Sequence, residues 1–185
     1  MALLTGGNIA NIERVKITTE EEPTKTYVFE TATSCSFNAS VSAGNETEQR
    51  VKNTIMGLLK TEDIVKGYDL ELEDQRLIME VLALVDGGTL TNGSGSTWEK
   101  YASPVAGSTV TRKAFTMELF TSDRDTDGEA LEYYCWKFAH CKGSPISGSM
   151  QDGSFATNKY SIKSRPPKGT SPMEITRVTE LPAVS

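Results

Sequence analysis

The stretch SCSFNASVS, residues 34–42, alternates strictly between two kinds of side chain. Successive residues of a β-strand point to opposite faces of a sheet, so the pattern predicts a strand with two unlike faces. The apolar face carries Cys35, Phe37, Ala39 and Val41. The opposite face is small, polar and uncharged, and it carries Ser34, Ser36, Asn38, Ser40 and Ser42.

The segments that follow extend this strand into a hairpin. After the residues AGN the chain returns as ETEQRVKN, so residues 34–53 are predicted to form a long hairpin. The segment 54–67 has no clear period, and both a short helical turn and a loop remain open there. Residues 67–73, GYDLELE, alternate again and predict another strand.

One helix is predicted, at residues 74–86. Asp74 is a suitable N-cap, an apolar face follows over residues 77–85, and Gly87 and Gly88 provide the stop. A single helix of about three turns among many strands is expected to pack on the flank of a sheet.

The rest of the chain alternates between strand-like segments and connections rich in small residues. Further strands are predicted at residues 11–19, 109–122, 129–141, 155–164 and 173–181. Residues 89–108 and 142–154 are predicted to be mobile loops. The 185-residue length suits one domain spanning residues 1–185. We therefore predict a mainly β fold, an antiparallel β-sandwich or open barrel with one flanking α-helix.

The charge balance and the hydropathy exclude several classes of protein. Lysine and arginine number 19 against 25 acidic residues, and they are scattered, whereas tight nucleic-acid binding needs clustered cations. No apolar run is long enough to cross a bilayer, and the first residues lack a signal-peptide pattern, so we expect no membrane insertion and folding in the cytoplasm. The odd set Cys35, Cys135 and Cys141 favours reduced thiols over a disulfide framework.

The stretch DRDTDGEALEYY, residues 123–134, begins like a calcium-binding loop. Asp123, Asp125 and Asp127 precede a glycine with the required spacing, but Tyr134 stands where a chelating glutamate is needed. Aspartate and glycine are also the residues that a tight turn needs. The turn is the favoured interpretation, and calcium binding through the three aspartates stays the alternative.

No other motif indicates a metal, cofactor or catalytic site. Cys135, His140 and Cys141 match no usual zinc spacing, and buried thiols explain them better. The sequence contains no nucleophile elbow, no phosphate-binding glycine loop and no dinucleotide fingerprint. We therefore expect no enzyme activity and no cofactor.

Two aromatic residues in the loop 89–108 are candidates for contacts between subunits. Trp98 and Tyr101 lie among small residues, and aromatic side chains dominate the energetics of interfaces. The alternative is that both fold back onto their own domain.

The ordered set of features resembles the tail tube, or major tail, proteins of long-tailed bacteriophages. The resemblance rests on CSFNASVSAGNETEQRVKN, on GYDLELEDQRLIMEVLALVDGG, on Tyr101 and Pro104 in a small-residue loop, and on the acidic hairpin tip. The closing segment FATNKYSIKSRPPKGTSPMEITRVTELP completes this set of segments, so the resemblance covers nearly the whole chain.

This resemblance implies a structural virion protein. Six copies would form a ring in which the long hairpins build a barrel between subunits, and the rings would stack into a tube for genome ejection. Genomic DNA would pass without tight binding, along the face that carries Ser34, Ser36, Asn38, Ser40 and Ser42. The implied partners are further copies, the tape measure, the terminator and the baseplate or tip, and the implied location is the tail of a virion assembled in the bacterial cytoplasm.

Two alternatives remain open at this point. One is a non-viral β-sandwich module that binds carbohydrate or a calcium-dependent ligand through Trp98, Tyr101 and the acidic turn. The other is a tube protein of a bacterial contractile injection system, which would share the architecture but not the virus.

Overall fold

A computed structural model describes residues 7–93, 98–124 and 126–184. Within them lie thirteen strands and one helix, α1 at Met79–Asp86. The strands are β1 Ile9–Thr19, β2 Thr26–Phe29, β3 Ala32–Ser42, β4 Glu46–Val51, β5 Thr54–Lys60, β6 Ile64–Asp74, β7 Thr89–Asn92, β8 Trp98–Ala102, β9 Phe115–Arg124, β10 Ala130–Gly143, β11 Ser147–Ser149, β12 Thr157–Ser164 and β13 Met173–Val178.

Nine strands form one antiparallel sheet that folds over on itself. Its order is β2-β1-β9-β10-β12-β6-β3. Strands β10 and β12 pair only where Cys141–Gly143 meets Ile162–Ser164; beyond that corner β13 pairs with β10, and β11 with β12. The sheet thus opens into two facing layers without closing into a barrel. The prediction of a mainly β, antiparallel sandwich-like fold with one helix is confirmed.

The core fills the space between the two layers and is covered by α1. It consists of alternate residues of the central strands together with one face of the helix. The side chains are Val15, Ile17, Phe29, Ala32, Leu70, Leu72, Val81, Leu82, Leu84, Val85, Phe115, Met117, Leu119, Phe138, Cys141, Tyr160 and Ile162. Burial of this apolar surface is the main stabilising term for the two layers.

The long hairpin has different boundaries from those predicted. The partner of β3 is β6, with Ser36 opposite Glu71 and Ser42 opposite Ile64. Strands β4 and β5 pair with each other beyond this region, so the hairpin spans Ala32–Asp74 and not 34–53. The segment 54–67, left open between helical turn and loop, is strand over most of its length. Because β3 and β6 are separated by more than twenty residues, no local pattern in the sequence indicates that they pair.

The helix begins five residues later than predicted. Asp74 is not its N-cap, because it ends β6 between Ala32 of β3 and Asn158 of β12. These ladder partners extend the strand, and α1 begins after Ile78 with no side-chain cap. The predicted stop is correct: Gly87 adopts a left-handed φ of 82°, and its N–H donates to Ala83 O at 3.0 Å.

Two predicted loops and one predicted strand also differ from the structure. The segment 89–108 contains the hairpin of β7 and β8, and the segment 142–154 contains β11. The strand predicted at 109–122 begins only at Phe115, where pairing with β1 starts. Short strands paired at the periphery have too few residues to show a period.

Candidate assembly interface

Strand β3 presents a free edge. It pairs with β6 on one side, and across the described residues no strand pairs with its other side. An exposed strand edge carries unpaired N–H and C=O groups and is a template for pairing with another chain. The 11-residue length of β3 makes this edge longer than β2, β11 or β13.

The distal end of the long hairpin, here called the tip, comprises β4 and β5, residues Glu46–Lys60. These two strands form a separate two-stranded sheet. An isolated hairpin of this kind is only marginally stable in water. Nevertheless the tip and the adjoining start of β6 expose large apolar side chains, each 52% to 70% accessible. They are Val51, Ile55, Met56, Leu58, Leu59, Ile64 and Val65.

A glycine marks the point where the hairpin leaves the body of the protein. Gly67 has a φ of 153°, and a Cβ at this position would lie 1.9 Å from the carbonyl oxygen of Ser164. Ser164 is the last residue of β12 and pairs with Tyr68 of β6, so the pairing between β6 and β12 ends next to Gly67. Towards the tip, β6 is paired with β3 alone.

The polar face of β3 continues onto β6 as an acidic row. Residues directly opposite each other in an antiparallel pair share a face. Ser34 lies opposite Glu73, and Asn38 lies opposite Asp69. Ser34, Ser36 and Asn38 are exposed, whereas Ser40 and Ser42 are half-buried. Our sequence analysis did not include this acidic row, although the alternation in GYDLELE was its signal.

Strand β12 and the residue that follows it supply cations to two of these carboxylates. Lys159 forms an ion pair with Glu73, and Arg165 Nη2 lies 2.6 Å from Asp69 Oδ1. The hydrogen bond from Lys159 lowers the pKa of Glu73, and the same bond raises the pKa of Lys159. The third carboxylate, Glu71, lies between Ser36 and Ser161. Strand β3, which forms the free edge, therefore carries no charged side chain. The charged side chains lie on β6, on β12 and at Arg165.

The apolar face of β3 anchors the hairpin to the core. The ring of Phe37 lies 5.7 Å from that of Trp136 and 5.6 Å from that of Phe138, measured between centroids. Burial raises the pKa of the Cys35 thiol to about 11, which agrees with an inward position. Further along, Val41 is 47% exposed. The apolar face is thus partly covered at the base of the hairpin, where Phe37 is 37% exposed, and it becomes more open towards the tip.

The two aromatic contact candidates have different environments. Tyr101 donates a hydrogen bond from its hydroxyl to Asp86 and packs against the core; burial, with Asp86, raises its pKa. Trp98 is 48% exposed and lines a cavity of about 580 Å³ beside β2. Tyr101 therefore has a role within its own subunit, while Trp98 is available to a partner.

The acidic turn uses its first aspartate for contacts within the chain. Asp123 is buried; its Oδ1 accepts a hydrogen bond from the N–H of Asn8 at 2.7 Å, and its Oδ2 accepts one from Tyr134 at 3.5 Å. Asp125 lies outside the described residues. Among the described residues no group of three His, Cys, Asp or Glu side chains is placed to hold a metal ion. Calcium binding at Asp123, Asp125 and Asp127 stays an untested alternative.

The remaining chemical groups of interest serve the fold. His140 has a φ of 49°, and its Nδ1 lies 2.8 Å from Glu20 Oε2. Cys135 and Cys141 are buried, and neither forms a disulfide.

The part of the chain that the structure describes holds no helix long and apolar enough to span a bilayer.

Comparison with known proteins returns structural similarities only. No protein-family model matches the chain, and no curated protein matches it in sequence. It is similar to a chain of the sheath–tube complex of an extracellular contractile injection system (PVC) in its extended state, with 14% identity over 91% of both chains and a TM-score of 0.45. It is also similar to a chain of the six-fold symmetrised baseplate of the anti-feeding prophage (AFP), with 10% identity over 97% of both chains and a TM-score of 0.40. TM-scores below 0.5 do not establish a shared fold.

Proposed function

We propose that this chain is a structural protein that self-assembles into stacked rings and so forms a tube. The observation that carries the proposal is the long hairpin, which projects a tip rich in exposed apolar residues beyond the body of the protein. Large exposed apolar patches mark sites of protein association. A solitary subunit would keep this surface in water at a considerable cost in free energy.

The free edge of β3 defines how copies would join within a ring. Pairing β3 with a different edge of the next copy is a head-to-tail contact, and such contacts generate closed rings when the rotation closes. Closing a sheet across subunits removes every exposed edge. The resemblance to tail tube proteins implies six copies per ring and a single domain per copy.

The polar face would line the channel of the tube. Its row of small neutral side chains, Ser34 to Ser42, offers a phosphate backbone no cation to bind, because nucleic-acid affinity depends on clustered Lys and Arg. The carboxylates of β6 lie next to this row. DNA would therefore pass without being held.

In this proposal the protein belongs to the tail of a virion assembled in the bacterial cytoplasm. Its partners are copies of itself, the tape measure, the terminator and the baseplate or tip, and its role requires no catalysis. The tube of a bacterial contractile injection system would need the same free edge and the same tip. The assembly part of the proposal therefore applies to both.

Negative-stain electron microscopy of the concentrated protein tests this proposal. We expect rings or tubes from the unmodified chain and no tubes from the double variant Leu58→Ser, Leu59→Ser. The matched control is Val105→Ser, Leu131→Ser, which removes two exposed apolar side chains outside the hairpin and should leave assembly unchanged. A protein that stays monomeric at all concentrations and salt conditions would refute the proposal.

A further inference from the structure

A groove lies at the opposite end of β3 from the tip. It runs beside β2 and is lined by Thr26–Thr31, by Arg76–Glu80, by Trp98 and by Val184, and it encloses about 580 Å³. A second depression shares Glu30, Thr31 and Arg76 with it and is bordered by Phe155. The two depressions therefore form one continuous concave surface.

This groove exposes apolar side chains that the fold of one subunit does not cover. Leu77 is 41% exposed, Trp98 and Val184 are each 48% exposed, and Phe155 is 92% exposed. A concave surface lined by aromatic and aliphatic side chains is the usual form of a receptor for apolar anchors.

The geometry of β3 relates the groove to the tip. The strand starts at Ala32, directly after groove residue Thr31, and it ends at Ser42, shortly before the tip begins at Glu46. Eleven residues of strand span roughly 35 Å at ~3.3 Å per residue. The two unpartnered apolar surfaces thus lie at opposite ends of one rigid paired element.

We propose that the groove of one subunit receives the tip of a second copy of this chain. The proposal rests on the proposed function, since it names the contact that stacks one ring on the next. Contacts between unlike surfaces at opposite ends of a subunit repeat indefinitely along one direction. They would give axial growth, in addition to the lateral contacts of β3 within each ring.

The apolar area agrees with a specific contact. The seven exposed apolar side chains at the tip and the adjoining start of β6 present on the order of 700 Å² to solvent over both faces of the hairpin, against the ~800 Å² that each partner buries in an interface of standard size. The groove contributes Trp98 and Phe155, and aromatic residues of this kind are frequent binding hot spots.

Disulfide cross-linking of assembled protein tests the contact. We expect the double variant Leu59→Cys, Leu77→Cys to give a ladder of covalent dimers and higher multimers after oxidation with copper–phenanthroline. Each single variant, and the matched pair Leu59→Cys, Val105→Cys, should give at least tenfold less of these multimers. Equal cross-linking by Leu59→Cys alone would mean that tips meet tips, and it would overturn the inference, as would tubes of the double variant that give no ladder.

A second variant separates failure of this inference from failure of the proposed function. We expect Leu77→Asp to give rings that do not stack, whereas Leu131→Asp, a charge at an exposed site outside the groove, should stack normally. Normal tubes from Leu77→Asp would contradict the groove contact and leave the tube function standing. Absence of any ring from the unmodified chain would refute both.

Discussion

At the scale of single residues, burial and hydrogen-bond partners determine how several polar groups contribute to the stability of the subunit. Asp86 is 4% exposed, and the hydroxyl of Tyr101 donates a hydrogen bond to it. A buried carboxylate that loses its donor costs free energy, because water cannot replace the lost bond. Tyr101 thus connects β8 to the end of α1.

We predict that Tyr101→Phe lowers the free energy of unfolding of the subunit by about 1–3 kcal/mol, the cost of leaving a buried acceptor without its donor. Urea denaturation of the unassembled protein measures this. Tyr133→Phe, which removes a hydroxyl from a half-buried ring of β10, is the control and should cost less than about 0.5 kcal/mol. A variant of unchanged stability that fails to assemble would instead favour the subunit contact predicted from the sequence.

The buried thiols predict a loss of stability in alkali. Burial raises the pKa of Cys141 from an ordinary 9.0 to about 12 and that of Cys135 to about 11. A folded state that retains these protons has its full stability below about pH 9 and loses it as the pH rises from 9 towards 12. We expect the urea midpoint to fall steadily between about pH 9 and pH 11.

Cys141→Ala should be less stable at pH 7, by about 1 kcal/mol, because it removes a buried sulfur atom. Its urea midpoint should nevertheless fall less steeply with rising pH than that of the unmodified chain, since one of the titrating groups is gone. Parallel pH profiles for the two proteins would show that Cys141 does not control the alkaline transition.

At the scale of elements, the long hairpin combines a part that stabilises the subunit with a part that does not. Its base, β3 and β6, carries Leu70 and Leu72 into the core. Its tip pairs only with itself within the described residues. The N–H of Thr61 donates to Asn45 O at 2.9 Å, so the two strands are still joined just below the tip.

We predict that residues 46–60 can be replaced by a two-residue Asn-Gly turn without loss of the fold. The replacement joins Asn45 to Thr61 across a pair that is already hydrogen-bonded, and Asn-Gly suits a two-residue hairpin turn. The thermal midpoint of the subunit should change by less than about 3 °C, which corresponds to an unfolding free energy change of about 1 kcal/mol for a domain of this size. Electron microscopy should show no tubes. Tubes formed by the shortened chain would contradict an assembly role for the tip.

Sequence patterns identified the strands of this hairpin but not their pairing. The alternation at 34–42 correctly indicated β3, and Phe37 contacts the rings of Trp136 and Phe138, as its place on the apolar face predicts, although 37% of it stays exposed. The return strand was assigned to residues 46–53, but the ladder of β3 forms with β6, more than twenty residues away. Hydrogen bonding between distant segments has no counterpart in a local period.

At the scale of the whole molecule, the polar face is expected to act only when several copies surround a channel. Ser36 and Asn38 are exposed in one subunit and lie beside the carboxylates of β6. A cation added there in each copy would form a ring of positive charge, and rings of cations hold phosphates strongly.

We predict that the triple variant Ser36→Lys, Asn38→Lys, Ser40→Lys folds and assembles but retains DNA and impedes genome release. Retention should weaken as salt rises, because counterion release drives the binding. Co-sedimentation of DNA with tubes at low and high salt measures it. The control Ser147→Lys, Ser149→Lys, Ser154→Lys adds the same charge at exposed serines elsewhere. Normal genome release by particles with the first variant would mean that this face does not line the channel.

The amino-acid sequence by itself determined the mainly β class, the two faces of β3 and the stop of α1 at Gly87. These follow from backbone periodicity, from glycine's access to left-handed conformations and from composition, all of which are local properties. Only the tertiary structure decided that β6 pairs with β3, that Asp74 ends a strand, that Tyr101 turns inward and that the tip and the groove lie at opposite ends of one element. Each of these depends on contacts between residues far apart in the chain, whose register is set by joint burial of distant side chains.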